Sequence, residues 1–285
     1  MADSRRSTDR HVRGRKRAAR QKRHDANTPD EQGLVDQEPT DGMRLNRFLA
    51  RAGIASRRGA DEVIAAGRVT VNGETVTEMG RRVSDGDRVE VDGKPITPTD
   101  LVYVLLNKSR DSITTVQDEK GRTTVLDLVD LPPAQKSALF PVGRLDRNTT
   151  GALLLTTDGD LAHRLMHPRY GAEKLYTVRT TDSVTPDQID ALRRGVTLGD
   201  GPASADHVAY TKPGESREIA LALHEGRNRQ VRRMMEALGH TVVALDRVGY
   251  AGLDLRGLRR SKWRHLRPHE VNALRRSVKL KPIVF

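Results

Sequence analysis

Arg144, Asp146 and Arg147 fall within four consecutive positions of the segment GRLDRNTTGALLLTTDG, a lone carboxylate between two guanidiniums. An aspartate so placed can act as a nucleophile or as a proton acceptor. The loop continues through Thr149, Thr150 and Gly151 into an apolar strand expected over residues 152–156. An acid at the mouth of a buried strand has a rigid support, so its oxygens can be aimed. The same residues also fit a solvated loop aspartate paired with its own arginines. In EKLYTVRTT, Tyr176 falls on a strand beside Leu175 and Val178. Aromatics make up 3% of the chain, so this ring is a scarce surface for stacking on a base, although core packing is the usual role of a strand tyrosine. In HEGRNRQVRRMMEALGH, helical spacing turns Val231, Met234, Met235 and Leu238 inward, with Arg229, Arg232 and Arg233 in about the same turn. Gly226 permits a tight turn out of the preceding strand. Either this is a solvated basic face, or one arginine turns in against a carboxylate and leaves the others for phosphates.

Other chemistries lack their residues. There is no GxxxxGK[ST] loop, no GxGxxG after a strand, no GxSxG elbow and no HExxH. His163 and His167 share a helix face, but no acid lies between them as in a zinc protease, so they read as surface or RNA-facing. Asp158, Gly159 and Asp160 read as a turn and helix start. With no cysteine there is no disulfide, thiol nucleophile or Cys-based metal site, which suits a reducing cytoplasm. No cofactor and no metal are expected.

The elements that must carry these residues can be read from pattern. The 285 residues suffice for two modest domains, and a formal charge of +12 calls for an anionic partner, most often a nucleic acid. The apolar runs are too short to span a bilayer and no leader is evident, so a soluble cytoplasmic protein is expected. Residues 1–42 split into a basic block and an acidic block without large apolar side chains, and read as a disordered tail, either solubilising or a weak RNA-binding arm. Residues 43–98 follow as a small α+β module. A first helix is set by Leu45, Phe48, Leu49 and Ala52, and a second is capped by Ser56. Strand pairs then turn at Asn72-Gly73 and in GDRVEVDGKPI. Arg44, Arg47, Arg51, Arg57, Arg58 and Arg68 crowd its helical half and would form a phosphate-binding face. After the linker ITPTD, residues 101–278 form a larger domain. Its strands are LVYVLLNK, TVRTT, REIALALH and TVVALDRV, and its helices include TPDQIDALRRG, opened by a Thr185–Gln188 capping box. Strands outnumber helices, which predicts an α+β fold with a mixed, mainly antiparallel sheet flanked by helices.

RLNRFLARAGIASRRGADEVIAAGRVTVNG resembles the αL-motif RNA-binding module named after the fourth protein of the small ribosomal subunit. PVGRLDRNTTGALLLTTDGDLAHRLMHPRY, EKLYTV and EGRNRQVRRMMEALGH resemble, in order and spacing, the bacterial ribosomal-RNA pseudouridine synthases that join this module to a catalytic domain. The resemblance covers about residues 43–275. It implies that Asp146 is the catalytic aspartate, that Tyr176 stacks on the target base and serves proton transfer, and that Arg232 pairs with the aspartate, without a cofactor. It also implies ribosomal RNA or a pre-ribosomal particle as partner, with Arg144, Arg147 and Arg229 drawn to the backbone, and a monomer. The acid should be ionised and fixed in a site that excludes water, its flanking arginines making the charge tolerable. NKSRDSITT departs from the family's Lys-Pro-x-Gly: Ser109 replaces Pro and Asp111 replaces Gly, which should alter a substrate-facing loop and leaves Lys108 a minor candidate. The GRLD segment resembles the synthases of the large subunit more than those of the small one. The rival is a non-catalytic RNA-binding or ribosome-assembly protein in which Asp146 is structural.

Overall fold

A computed structural model describes residues 42–285, so the expected tail lies outside the described residues except for Gly42. Residues Met43–Phe285 gather into one compact unit. Short β1 (Met43–Arg44) leads into α1 (Leu45–Arg51) and α2 (Arg57–Ala65), the latter capped by the Ser56 hydroxyl accepting the Gly59 N–H at 3.1 Å. Then come β2 (Val69–Val71), β3 (Glu74–Val76), β4 (Arg82–Val83), β5 (Val89–Val91) and β6 (Lys94–Pro95). Alternation along β2 and β5 turns Val69, Val71, Val89 and Val91 onto Leu45, Leu49, Ala60 and Ile64, making a separate apolar core. Asn72 and Gly73 both take the positive φ that a tight hairpin needs, 52° and 86°.

The second core is built on a nine-stranded sheet. Its elements in chain order are β7 (Tyr103–Lys108), α3 (Pro133–Ala138), β8 (Phe140–Pro141), β9 (Thr150–Thr156), α4 (Gly159–Met166), β10 (Lys174–Thr180) and α5 (Pro186–Arg194). A two-stranded hairpin follows, β11 (Val196–Leu198) and β12 (Gly201–Ala203), and then β13 (His207–Tyr210), β14 (Glu218–Leu223), α6 (Gln230–Ala237), β15 (Val242–Tyr250), β16 (Leu253–Asp254), β17 (Trp263–His265) and α7 (Pro268–Ser277). The main order is β13-β14-β10-β15-β9-β7-β17, with β8 on β9 and β16 on β15. Pairing is antiparallel except between β9 and β15, as the strand composition predicts. β7 is buried along its whole length, as its unbroken apolar run implies. Thr185 and Gln188 form the expected capping box of α5. Asp158 caps α4 as expected, and it is also the centre of a buried network: Tyr103 donates its hydroxyl at 2.8 Å and Arg275 of α7 donates at 2.6 Å. No helix among the described residues is long and apolar enough to cross a membrane.

The β9–β15 pair matters most for the site. Thr150 lies opposite Asp246 and Gly151 opposite Arg247, so the loop entering β9 is fixed against the middle of β15. Gly151 takes φ 109°, and a Cβ there would fall 2.2 Å from the Arg247 carbonyl oxygen. Only glycine allows the two backbones to come this close.

Candidate active site

Asp146 lies in the loop between β8 and β9, and that loop is held through its backbone. Gly143 turns the chain at φ 74°. Leu145 is buried, and its carbonyl accepts the Thr114 hydroxyl at 2.8 Å. The Asp146 carbonyl accepts the Thr149 N–H at 3.0 Å, closing a turn. Beneath the turn, the Lys108 ammonium donates to the carbonyls of Ser109 at 3.1 Å, Asp146 at 3.1 Å, Arg147 at 3.2 Å and Thr149 at 2.9 Å. Lys108 is 0% exposed. Burial pulls it from 10.5 to about 8, with the carboxylates of Asp146 and Asp111 opposing the fall. The minor candidate of the sequence therefore grips the aspartate loop from below. Asp111 keeps a glycine-like φ of 66°, which aspartate tolerates better than most residues. Its carboxylate pairs with Arg147 at 3.0 Å and its N–H donates to the Arg147 carbonyl at 3.0 Å, so the departure from the family pattern ties one loop to the other.

The alternative pairing of Asp146 with its own neighbours does not form. Leu145 turns inward, Arg144 stays exposed, and Arg147 is taken by Asp111. The cations on Asp146 come instead from the start of α6: Oδ2 lies 3.8 Å from Arg229 Nη1 and 3.8 Å from Arg232 Nε. These are ion pairs without a hydrogen bond. The Arg232 side chain is 11% exposed and its Nη1 donates to the Val242 carbonyl at 3.1 Å, while Nε is buried without a hydrogen-bond partner among the described residues. Burial lowers its pKa, Arg229 adds to the drop, and Asp146 opposes it. Arg229 was expected on RNA phosphates, yet it shares the carboxylate with Arg232. Arg233 turns away to Asp200 at 2.9 Å. The Asp146 side chain is 35% exposed, so the site is open to the cleft rather than sealed from water as expected. Excluding water falls to whatever fills the cleft.

Two residues that sequence reasoning passed over set the start of α6. Arg227 is stapled to the β11–β12 hairpin, donating to Asp200 Oδ1 at 3.1 Å and to the Pro202 carbonyl, and it also reaches Glu225 at 3.0 Å. Gln230, 3% exposed, donates to Glu225 at 2.5 Å and accepts the Arg227 N–H at 3.0 Å. Arg229 then adopts a left-handed φ of 48° as the cap, which aims its guanidinium at Asp146.

The cleft above this floor has a volume of about 950 Å³, room enough for a nucleotide. Asp146, His167, Lys174, Tyr176, Arg229 and Arg247 line it. Tyr176 is 9% exposed, packed in the core on one side and bordering the cleft on the other, so both of its expected roles are compatible with its place. Lys174 shares its strand face, and its ammonium donates to the carbonyls of Ala172 at 2.6 Å and His224 at 3.0 Å. Burial first, and the charge of Arg247 second, pull Lys174 to about 8. Arg247 lies directly across the β10–β15 pair from Tyr176. A register shift just beyond that pair adds a residue to β15, which brings Tyr250 under Arg247 with 4.6 Å between guanidinium and ring centre. His163 and His167 stand 5.9 Å apart, and among the described residues no three acids, histidines or cysteines are grouped to hold a metal.

The arginines of the small module divide. Arg47 pairs with Asp160 at the start of α4 at 2.5 Å, Arg68 pairs with Asp92 at 2.5 Å, and Arg51, half-buried, donates to the Thr99 carbonyl at 3.3 Å. These three serve contacts within the protein. Arg44, Arg57 and Arg58 remain exposed, so the expected phosphate-binding face narrows to them.

Against known proteins, residues 102–237 match the family model of RNA pseudouridylate synthase and residues 43–89 match that of the S4 domain. The ribosomal large subunit pseudouridine synthase B of Bacillus subtilis is 45% identical over 235 residues, spanning 81% of this chain and 95% of that protein. The protein of the same description from Pseudomonas aeruginosa is 39% identical, spanning 86% of this chain and 64% of its own length. A solved structure, a crystal structure of pseudouridylate synthase, superposes with a TM-score of 0.59 at 30% identity, covering 82% of this chain and 100% of that one.

Proposed function

The chain belongs to the RNA pseudouridine synthase family, and we propose that it converts one uridine of large-subunit ribosomal RNA to pseudouridine, with Asp146 as the group that works on the substrate. The observation that carries this reading is the clamp on Asp146, held 3.8 Å from both Arg229 and Arg232 at the edge of a cleft that Tyr176 also lines. The isomerisation breaks the N1–C1′ bond, turns the uracil and joins C5 to the same sugar carbon. It needs no redox step and no phosphate donor. Asp146 either attacks the sugar or the base, or removes a sugar proton. Arg232, anchored to the Val242 carbonyl, holds the charge and position of the carboxylate in either route. The 3.8 Å separations leave room to shorten once substrate is bound.

The target atoms lie inside a stacked nucleotide, so it must be extruded, at a cost of about a few kcal/mol. Stacking on Tyr176 offsets ~1–3 kcal/mol of that, and we assign its hydroxyl the proton transfer. Arg144 at the rim, with Arg44, Arg57 and Arg58 of the S4 domain, supplies the phosphate contacts. Large-subunit RNA is favoured because the relatives from Bacillus subtilis and Pseudomonas aeruginosa carry that description. The protein acts as a monomer in the cytoplasm, on free ribosomal RNA or a pre-ribosomal particle.

Mapping pseudouridine in ribosomal RNA from cells with and without the gene tests this. One large-subunit uridine should lose its modification, and Asp146→Asn should fail to restore it while binding RNA almost as well. Restoration by that variant would reject Asp146, and a loss confined to small-subunit RNA would reject the substrate.

A further inference from the structure

Arg247 has no role in the scheme above, yet it is 3% exposed and no carboxylate among the described residues pairs with it. Its Nε–H donates to the Ala152 carbonyl at 2.8 Å, while Nη2 is buried without a hydrogen-bond partner among the described residues. A buried charge is costly unless compensated. Arg164 and Arg275, the other arginines that turn inward near α4 and α7, meet backbone carbonyls or a carboxylate, whereas Arg247 lines the cleft and holds its plane by stacking on Tyr250. The position is deep: Arg247 sits on the central strand, across from Tyr176, with directly opposed side chains starting about 5 Å apart. Lys174, two residues before Tyr176 on the same face, adds a second cation with one proton left after Ala172 and His224.

We propose that Arg247, with Lys174 beside it, receives the negative charge of the uracil ring once it has left the sugar, an inference that rests on reading this chain as a uridine isomerase. When the N1–C1′ bond breaks, its electron pair stays with the ring and spreads over N1, O2 and O4. Later C5 bonds to C1′, the C5 proton leaves and N1 takes one up, so product and substrate have the same atoms. Between those events the ring is a planar anion that must be turned without escaping. A guanidinium fork suits a flat anion with adjacent acceptors such as N1 and O2, and a ring stacked on Tyr176 presents its edge across the strand pair to Arg247. RNA phosphates are better met at the rim, where Arg144 is exposed.

The test uses the full chain on unmodified large-subunit rRNA made by transcription, with wild type, Arg247→Met and Arg247→Lys. Arg247→Met should lower the single-turnover rate by about 10²–10³-fold, the usual effect of losing one donor to a developing anion. RNA affinity and its salt dependence should stay as in wild type, and the melting temperature should not fall, because an uncompensated buried charge has been removed. Arg247→Lys should recover part of the rate. A weaker affinity with a shallower salt slope would place a phosphate on Arg247 and overturn the proposal. A lower melting temperature with no recovery by lysine would make the residue structural, and a wild-type rate would remove it from the reaction. Inactivity of the wild-type protein on every ribosomal RNA would instead sink the reading of the enzyme itself.

Discussion

Replacing Lys108 by methionine should separate stability from catalysis. The side chains are of similar length, and the site is closed to solvent. The substitution removes the three N–H donors that the ammonium shares among the carbonyls of Ser109, Asp146, Arg147 and Thr149, worth on the order of 5 kcal/mol together. It also removes a buried ammonium that is held at about 8 instead of 10.5, a cost on the order of 3 kcal/mol. The carbonyls are not all stranded, since those of Asp146 and Arg147 keep the N–H groups of Thr149 and Asp111, each at 3.0 Å. The net loss is about 2 kcal/mol, or about 4–8 °C in melting temperature for a domain of this size. Turnover should suffer far more, because the pinned carbonyls belong to the residues that aim Asp146, and a misplacement of about 1 Å costs on the order of 10²-fold. Single-turnover isomerisation, RNA affinity and calorimetry on one preparation measure all three. The wild-type rate should also fall above pH of about 8, as the ammonium gives up the proton that spans the loop. Lys174, facing Asp206, Glu225 and Arg247, titrates near the same pH, so in Lys108→Met the alkaline fall should weaken rather than vanish. A variant with the wild-type rate, or one that loses RNA binding and turnover in parallel, would refute the positioning role.

Arg232→Leu should reduce the rate by at least about 10²-fold and leave Arg229 alone with the carboxylate; wild-type kinetics would hand the clamp to Arg229. Gly151→Ala forces a side chain onto a φ of 109° and against the Arg247 carbonyl, costing about 2–6 kcal/mol by thermal unfolding, and an unchanged melting temperature would show that β9 can slide along β15. Arg57→Ala combined with Arg58→Ala should flatten the slope of log affinity against log salt by up to about 2, whereas Arg68→Ala, which loses only its pair with Asp92, should leave that slope nearly unchanged. Arg275→Leu strands the Asp158 carboxylate among buried groups and should cost about 3–5 kcal/mol, read by denaturant unfolding.

What could be read from the chain follows the range of the interaction that encodes it. The two helices of the S4 domain, the Asn72-Gly73 turn, the Ser56 and Asp158 caps and the Thr185–Gln188 box depend on residues within a turn of one another, and the structure has them. Asp146, Tyr176 and Arg232 are separated along the chain and were brought together only through a family pattern, because pairing them needs the order of the sheet. That order places β15 between β10 and β9, so one strand touches both the tyrosine and the aspartate loop. The residues missed, or given only a minor part, are those whose partners this order supplies. Lys108 is one polar end of an apolar strand until the loop before β9 is laid over it. Arg247 is one cation in a basic chain until Gly151 brings β9 against its carbonyl and the register shift stacks it on Tyr250. The alternative that pairs Asp146 with its own neighbours fails for the same reason: adjacent arginines are the nearest cations in sequence, but a loop ending in a buried strand turns its aspartate toward whatever faces the strand mouth, and here that is α6. The one parallel pairing in the sheet therefore places the acid, and a chain that kept every motif but lost the close approach at Gly151 would keep its fold pattern and lose its site.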